Sequence, residues 1–160
     1  MEIINKILGK TEDIFAPFSG KVIPLSEVPD HAYSNGTMGN GIAINPESDT
    51  LLSPVDGIVV TLFPTNHAIA IETEHGLQIL IHVGINSVSL LGKGFTPLVY
   101  QGDTVKKGQP LLKLDLEFLR ANTSSMISPI TFPSVKEDRL FVTDAGEVVA
   151  GEDVLVNVNF

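Results

Sequence analysis

Four side chains in this sequence combine reactive chemistry with a suggestive setting: His31, His67, His75 and His82. The chain has no cysteine, so thiolate nucleophiles, thiolate metal ligands and disulfides are excluded. No Gly-x-Ser-x-Gly elbow and no His-Glu-x-x-His helix occurs, and the glycines of Gly36-Thr37-Met38-Gly39-Asn40-Gly41 are in the wrong order for a dinucleotide loop. His31 follows Val28-Pro29-Asp30 and reads as an exposed loop residue, and His75 reads as an exposed turn residue in Thr73-Glu74-His75-Gly76. The interest narrows to His67 and His82, at the outer ends of two apolar runs joined by that turn.

The turn decides whether the two rings can meet, and two registers are open. A two-residue Glu74-His75 loop pairs Thr73 with Gly76 and sets His67 directly opposite His82 on one face. A three-residue loop with Gly76 in the left-handed position moves the pairing by one residue and sends the rings to opposite faces, unless a bulge restores them. Paired rings are too few for a hydrolytic zinc site, which takes three protein ligands and a water. Phosphoryl transfer asks for less: one neutral imidazole attacks phosphorus and a neighbouring donor stabilises charge on its oxygens.

The elements that must hold these rings read as short strands. Fourteen Gly and 10 Pro are spread through runs rich in Val, Ile and Leu, and two sequence units recur. Pro17-Phe18-Ser19-Gly20 is echoed by Pro54-Val55-Asp56-Gly57, and Val105-Lys106-Lys107-Gly108 by Val148-Val149-Ala150-Gly151. The duplication predicts an all-β, antiparallel sandwich or barrel-like double sheet over residues 11–160, one domain with one or two short helices. Leu114–Asn122 is the predicted helix, with Asp115 as its cap and Asn122 as its stop. Residues 1–10 are expected to be a tail or a short amphipathic helix, because Ile3, Ile4, Ile7 and Leu8 recur at helical spacing.

Composition sets the outer limits. A chain of 160 residues carries a net charge of −9 with only 10 Lys and Arg, too few for a phosphate-backbone stripe, so nucleic acid is not an expected partner. Mean hydropathy of +0.25 argues against disorder, while no apolar run is long enough to span a bilayer. A cytoplasmic, free-standing protein with at most peripheral membrane contact is expected, needing neither metal nor cofactor.

Several segments, in this order and spacing, resemble the glucose-type enzyme IIA domains of the bacterial phosphoenolpyruvate-dependent sugar phosphotransferase system. They are Gly39–Ile44, Ser53–Gly57, Phe63–Ala68, Leu80–Asn86, Leu91–Phe95 and Gly102–Gly108. The resemblance implies an antiparallel β-sandwich in which His82 accepts a phosphoryl group from the phosphocarrier protein HPr and passes it to a cysteine of an enzyme IIB domain. It implies that His67 hydrogen-bonds that group, that Thr65 orients His67, and that Phe63 and Val83 belong to an apolar docking surface. Asn86 stands where the family often has a carboxylate, so an ion pair with a basic partner is missing at that rim position. Regulatory target proteins are further partners the resemblance admits, since a phosphate on an apolar face disfavours a partner that buries it. Two other classes share parts of the pattern. A zinc metallopeptidase needs a His-x-His pair and a third ligand, and a biotinyl- or lipoyl-type carrier needs a lysine at a hairpin tip; neither feature is evident here.

Overall fold

The computed structural model of the protein describes residues 11–160, so the expected tail at residues 1–10 lies outside the described residues. Its strands are β1 (Thr11–Phe15), β2 (Gly20–Pro24), β3 (Asn40–Pro46), β4 (Thr50–Leu52), β5 (Gly57–Leu62), β6 (Ala68–Glu72) and β7 (Gln78–His82). They continue as β8 (Phe95–Pro97), β9 (Thr104–Val105), β10 (Pro110–Leu114), β11 (Ser128–Phe132), β12 (Leu140–Val142), β13 (Glu147–Val148) and β14 (Val154–Asn159). Two short α-helices interrupt them, α1 (His31–Ser34) and α2 (Leu116–Asn122).

The repeated sequence units become repeated topology. One sheet of eight strands runs β13-β2-β3-β11-β7-β6-β5-β9, and two sheets of three run β1-β14-β12 and β4-β10-β8. Gly20 opens β2 and Gly57 opens β5, and each of these strands pairs with the strand of a Val-x-x-Gly unit at opposite ends of the large sheet. The two proline units also bond to each other, Phe15 N–H to Pro54 O at 3.0 Å and Leu52 N–H to Pro17 O at 3.0 Å. All described pairings are antiparallel, which fits hairpin and turn connections.

One core joins the three sheets. Ile14, Val156 and Val158 come from the first small sheet, Leu51, Leu111 and Leu112 from the second, and Ile44, Ile69, Ile71, Ile79, Ile81 and Ile130 from the large one. All are fully buried, and burying each aliphatic side chain is worth about 1.5–3 kcal/mol. A smaller cluster of Val28, Tyr33, Ala43 and Ile85 lies apart from it. Helix α2 starts two residues later than the sequence reading places it. Asp115 is its N-cap, accepting from Phe118 N–H at 3.1 Å, so Leu114 stays in β10.

Candidate active site

The β6–β7 hairpin adopts the shifted of the two registers. Ala68 faces His82, Ile69 faces Ile81 and Glu72 faces Gln78. The loop has three residues, closed by Thr73 N–H to Leu77 O at 2.9 Å and Gly76 N–H to Thr73 O at 3.0 Å. Gly76 sits at φ +84, a conformation that costs glycine nothing and a residue with a Cβ about 1 kcal/mol or more. The direct His67–His82 pairing across the strands therefore does not occur.

The rings meet all the same, by a different route. His67 precedes β6 and belongs to the loop between β5 and β6, whose ends are tied by Phe63 N–H to Ala68 O at 3.1 Å. Asn66, just before it, is left-handed at φ 57, and Asn66 N–H donates to Phe63 O at 2.7 Å. The strand alternation that fixes Ala68 and Ile69 no longer governs His67. Its main chain still accepts from Val83 N–H at 2.8 Å, while its ring lies 4.9 Å from the ring of His82, at 74° to it. Asn66, Asn86 and Leu91 are the non-glycine residues with positive φ among the described residues, and all three lie in the loops around these rings. Backbone held in sparsely populated regions concentrates at functional sites.

Each ring is held through Nδ1. His82 Nδ1 lies 2.7 Å from Gly84 O. A carbonyl only accepts, so the proton of neutral His82 sits on Nδ1 and its Nε2 carries the lone pair. His67 Nδ1 lies 2.5 Å from the Thr65 hydroxyl. When Thr65 donates, the proton of neutral His67 is left on Nε2. Phe63 packs edge-on against His67 at 5.4 Å between ring centres, and Tyr33 packs against His82 at 5.6 Å.

Both rings favour the neutral form. Burial pushes His67 down to about 4, with the nearby His82 adding to the effect. Burial also lowers His82, against the opposing pull of the Gly84 carbonyl and the Asp30 carboxylate. As a residue His67 is only 5% exposed and His82 is half-buried, so His82 is the residue with more surface in solvent. The arrangement sets a ring with a free lone pair beside a ring that can donate an N–H, a combination able to attack and stabilise a phosphoryl group.

A model of the family described as phosphoenolpyruvate-dependent sugar phosphotransferase system, EIIA 1, matches residues 12–137. The chain belongs to this EIIA family. It is 42% identical over 143 residues to the PTS system glucose-specific EIICBA component of Staphylococcus carnosus, covering 89% of this chain and 21% of that protein. It is also 42% identical over 148 residues to the PTS system N-acetylglucosamine-specific EIICBA component of Klebsiella pneumoniae, covering 92% of this chain and 23% of that protein. The chain thus spans about a fifth of the length of these curated relatives. The solved glucose permease IIA from Mycoplasma capricolum superposes with a TM-score of 0.88 at 38% identity, over 93% of this chain and 96% of that one. The expected antiparallel β-sandwich is therefore the fold of this EIIA chain.

The remaining residues singled out in the sequence fall in different places. His31 starts α1 and is exposed. His75 is in the exposed turn at the far end of the β6–β7 hairpin, 3.6 Å from Glu74 and edge-on to Phe160. Asn86 is exposed, with its side chain donating to Ser124 Oγ at 2.6 Å. Val83 is a correction: it is fully buried in the core with Ile79 and Ile81, so it cannot offer a docking surface. Val83 directly follows β7 and continues its alternation, on the side of Ile79 and Ile81 and opposite His82. Among the described residues no group of three His, Cys, Asp or Glu comes together as a metal site. No helix among them is long and apolar enough to cross a membrane.

Three residues escape the sequence reading, Tyr33 against His82 and two exposed apolar residues on the segment after β7. Tyr33 belongs to the small outer cluster and forms a wall against His82. Its phenol is pushed up to about 12 by burial and by Asp30, so it stays protonated. Leu91 and Val88 are 81% and 52% exposed on the segment after β7. A Cβ on Gly92 would lie 3.8 Å from Thr65 O, so this segment lies beside the loop that carries His67. The Leu91–Phe95 motif contains the signal, but nothing in its spacing says that Leu91 faces solvent.

Proposed function

We propose that this EIIA chain is a phosphocarrier that takes a phosphoryl group from HPr onto Nε2 of His82 and passes it to a cysteine of an enzyme IIB domain, at the cytoplasmic face of sugar uptake. The observation that carries this reading is the pair of neutral rings 4.9 Å apart, the more exposed one with its lone pair on Nε2. In the forward step the Nε2–P bond forms as the donor's bond to phosphorus breaks, and no proton has to leave Nε2. Positive charge that develops on the ring is shared with the Gly84 carbonyl through Nδ1–H. His67, oriented by Thr65, donates through Nε2–H to a phosphoryl oxygen, and the second transfer reverses the bond changes onto a thiolate.

Docking is assigned to Phe63, which packs on His67, and to the exposed segment after β7. Half-buried Phe63 and exposed Leu91 and Val88 supply apolar area, and Asn86 supplies a neutral polar rim. Lining of this kind excludes water from the phosphoryl group when a partner covers it. Incubation of the protein with phosphoenolpyruvate, enzyme I and HPr is expected to add one acid-labile phosphate, absent in His82→Ala. Phosphate found on His75 in place of His82 would overturn the assignment.

A further inference from the structure

Behind His82 the structure carries a second layer of hydrogen bonds, built from a strand that bears none of the reactive groups. The Gly84 carbonyl that fixes the His82 proton is itself held in place. Gly84 N–H donates to Ser128 Oγ at 3.0 Å, and Ser128 Oγ–H donates to Met126 O at 2.8 Å. Ser128 opens β11 and is fully buried. Its hydroxyl proton is committed to Met126, so the lone pairs of Oγ are what it presents to Gly84. The next turn is tied to the same segment, with Ile85 N–H donating to Ser125 O at 2.8 Å and Ser124 N–H to Ile85 O at 3.1 Å. Gly84 is left-handed at φ +73, and a Cβ there would meet Ser125 O at 3.1 Å and Met126 Sδ at 3.3 Å.

We propose that Ser128 is a positioning residue for His82: by holding Gly84 it selects the tautomer with the proton on Nδ1 and so keeps Nε2 free to attack. The neutral histidine side chain in water favours the opposite tautomer, with the proton on Nε2, so the selection has to be made by a partner of Nδ1. Gly84 O is that partner, and it works only while the backbone on both sides of Gly84 keeps its orientation. Without Ser128 Oγ the buried Gly84 N–H has no acceptor, and leaving such a group unpaired is costly enough for the backbone to turn in search of one. The Gly84 carbonyl lies in the next peptide, which Ile85 N–H also anchors to Ser125 O, so it is movement of the Gly84 Cα and its φ and ψ that carries the carbonyl away from Nδ1. The proton then spreads to Nε2, and each ring so protonated is closed to phosphorus.

The inference rests on the reading of His82 as phosphoryl acceptor, so its test separates the two. In the unphosphorylated full chain, ¹⁵N chemical shifts of the His82 ring report the tautomer with no phosphoryl donor present. The native protein is expected to show Nδ1–H, Ser128→Ala a mixture rich in Nε2–H, and Ser128→Thr, which keeps the hydroxyl, the native pattern. Single-turnover uptake from phosphorylated HPr is expected to fall about tenfold in Ser128→Ala, equivalent to about 1.4 kcal/mol, and to stay within about twofold in Ser128→Thr. If Ser128→Ala does not fold, Ser128→Cys gives the same comparison, since it is nearly isosteric and a weak acceptor. A native tautomer and native uptake in the Ala or Cys variant overturn the proposal. Absence of phosphate on His82 in the native protein overturns the phosphocarrier reading, while the tautomer comparison still decides the role of Ser128.

Discussion

His67 accepts a main-chain hydrogen bond from Val83, not from His82, yet its ring lies 4.9 Å from the ring of His82. The two residues are thus adjacent through a loop that turns a side chain back over the sheet. The distance between the rings is set by the Phe63–Ala68 loop and by Thr65, while the position of His82 is set by β7 and Gly84. One ring is at the end of a strand and the other is on a loop.

That division predicts different losses for the two histidines. His67→Gln leaves the His82 nucleophile in place, so phosphate still loads, but it removes the imidazole donor that stabilises the group in transit. Delivery to the IIB thiol is expected to fall about 10²-fold, in line with the loss of one charge-stabilising donor. Rapid-quench measurement of loading and delivery as separate steps checks this. Delivery at the native rate would show that His67 does no more than pack.

The β-sandwich and its duplication are legible in the sequence because the Pro-x-x-Gly and Val-x-x-Gly units are local turn chemistry, and each unit opens or feeds a strand as read. The hairpin at Glu74 is legible too, but its register is not. Choosing between a two-residue and a three-residue loop turns on whether Gly76 takes the left-handed position, a choice that core packing of Ile69, Ile71, Ile79 and Ile81 settles far from the turn. The meeting of the rings then depends on Asn66, whose left-handed conformation shortly before β6 leaves no pattern in the sequence. Val83 shows the opposite failure. The family resemblance groups it with the docking surface, but it adjoins His82 along the chain, and adjacency in extended backbone means the other face. Tyr33 comes from a distant segment, and only tertiary packing brings it to His82.

Gly76 offers a test of the register itself. Nothing lies within 4 Å of a Cβ placed there, so Gly76→Ala is penalised by conformation alone. A loss of about 1 kcal/mol in unfolding free energy is expected, with phosphate loading on His82 unchanged because the site is at the other end of the hairpin. Urea unfolding of the two proteins measures it. A neutral or stabilising Gly76→Ala would mean that position 76 is not left-handed in solution.

The acid limb of loading follows from the lowered pKa values. On the proposed reading His82 attacks only when neutral, and burial lowers its pKa from the usual imidazole value. Loading is expected to lose half its rate at a pH below that at which an ordinary histidine is half protonated. Asp30 opposes the shift, so Asp30→Asn is expected to move the fall to still lower pH. The same neutral rings destabilise the fold in acid. Stability contributed by keeping His67 uncharged is full above about pH 6.5 and is lost as pH falls towards about 4, because the unfolded chain takes up the proton first. Ring ¹³C shifts followed through a titration give both midpoints, and a His82 midpoint above that of a free imidazole would contradict the burial account.

Asn86 carries the last prediction, because its charge is easily changed while its contacts are kept. Its left-handed backbone, φ 62, is one that an aspartate also tolerates, and its bond to Ser124 can be kept with donor and acceptor reversed. Asn86→Asp places a carboxylate on an exposed rim, where long-range attraction acts on encounter more than on the bound state. With a partner that presents basic residues, the second-order loading rate is expected to rise about two- to fivefold at low salt. The gain should vanish near 1 M salt, where screening reaches only about 3 Å. A gain that persists at high salt would mean that the substitution changes the bond to Ser124 or the shape of the site rather than the field around it. A loss at low salt would point to repulsion of the incoming phosphoryl group, and would make the neutral rim of Asn86 an adaptation to the charge of the donor.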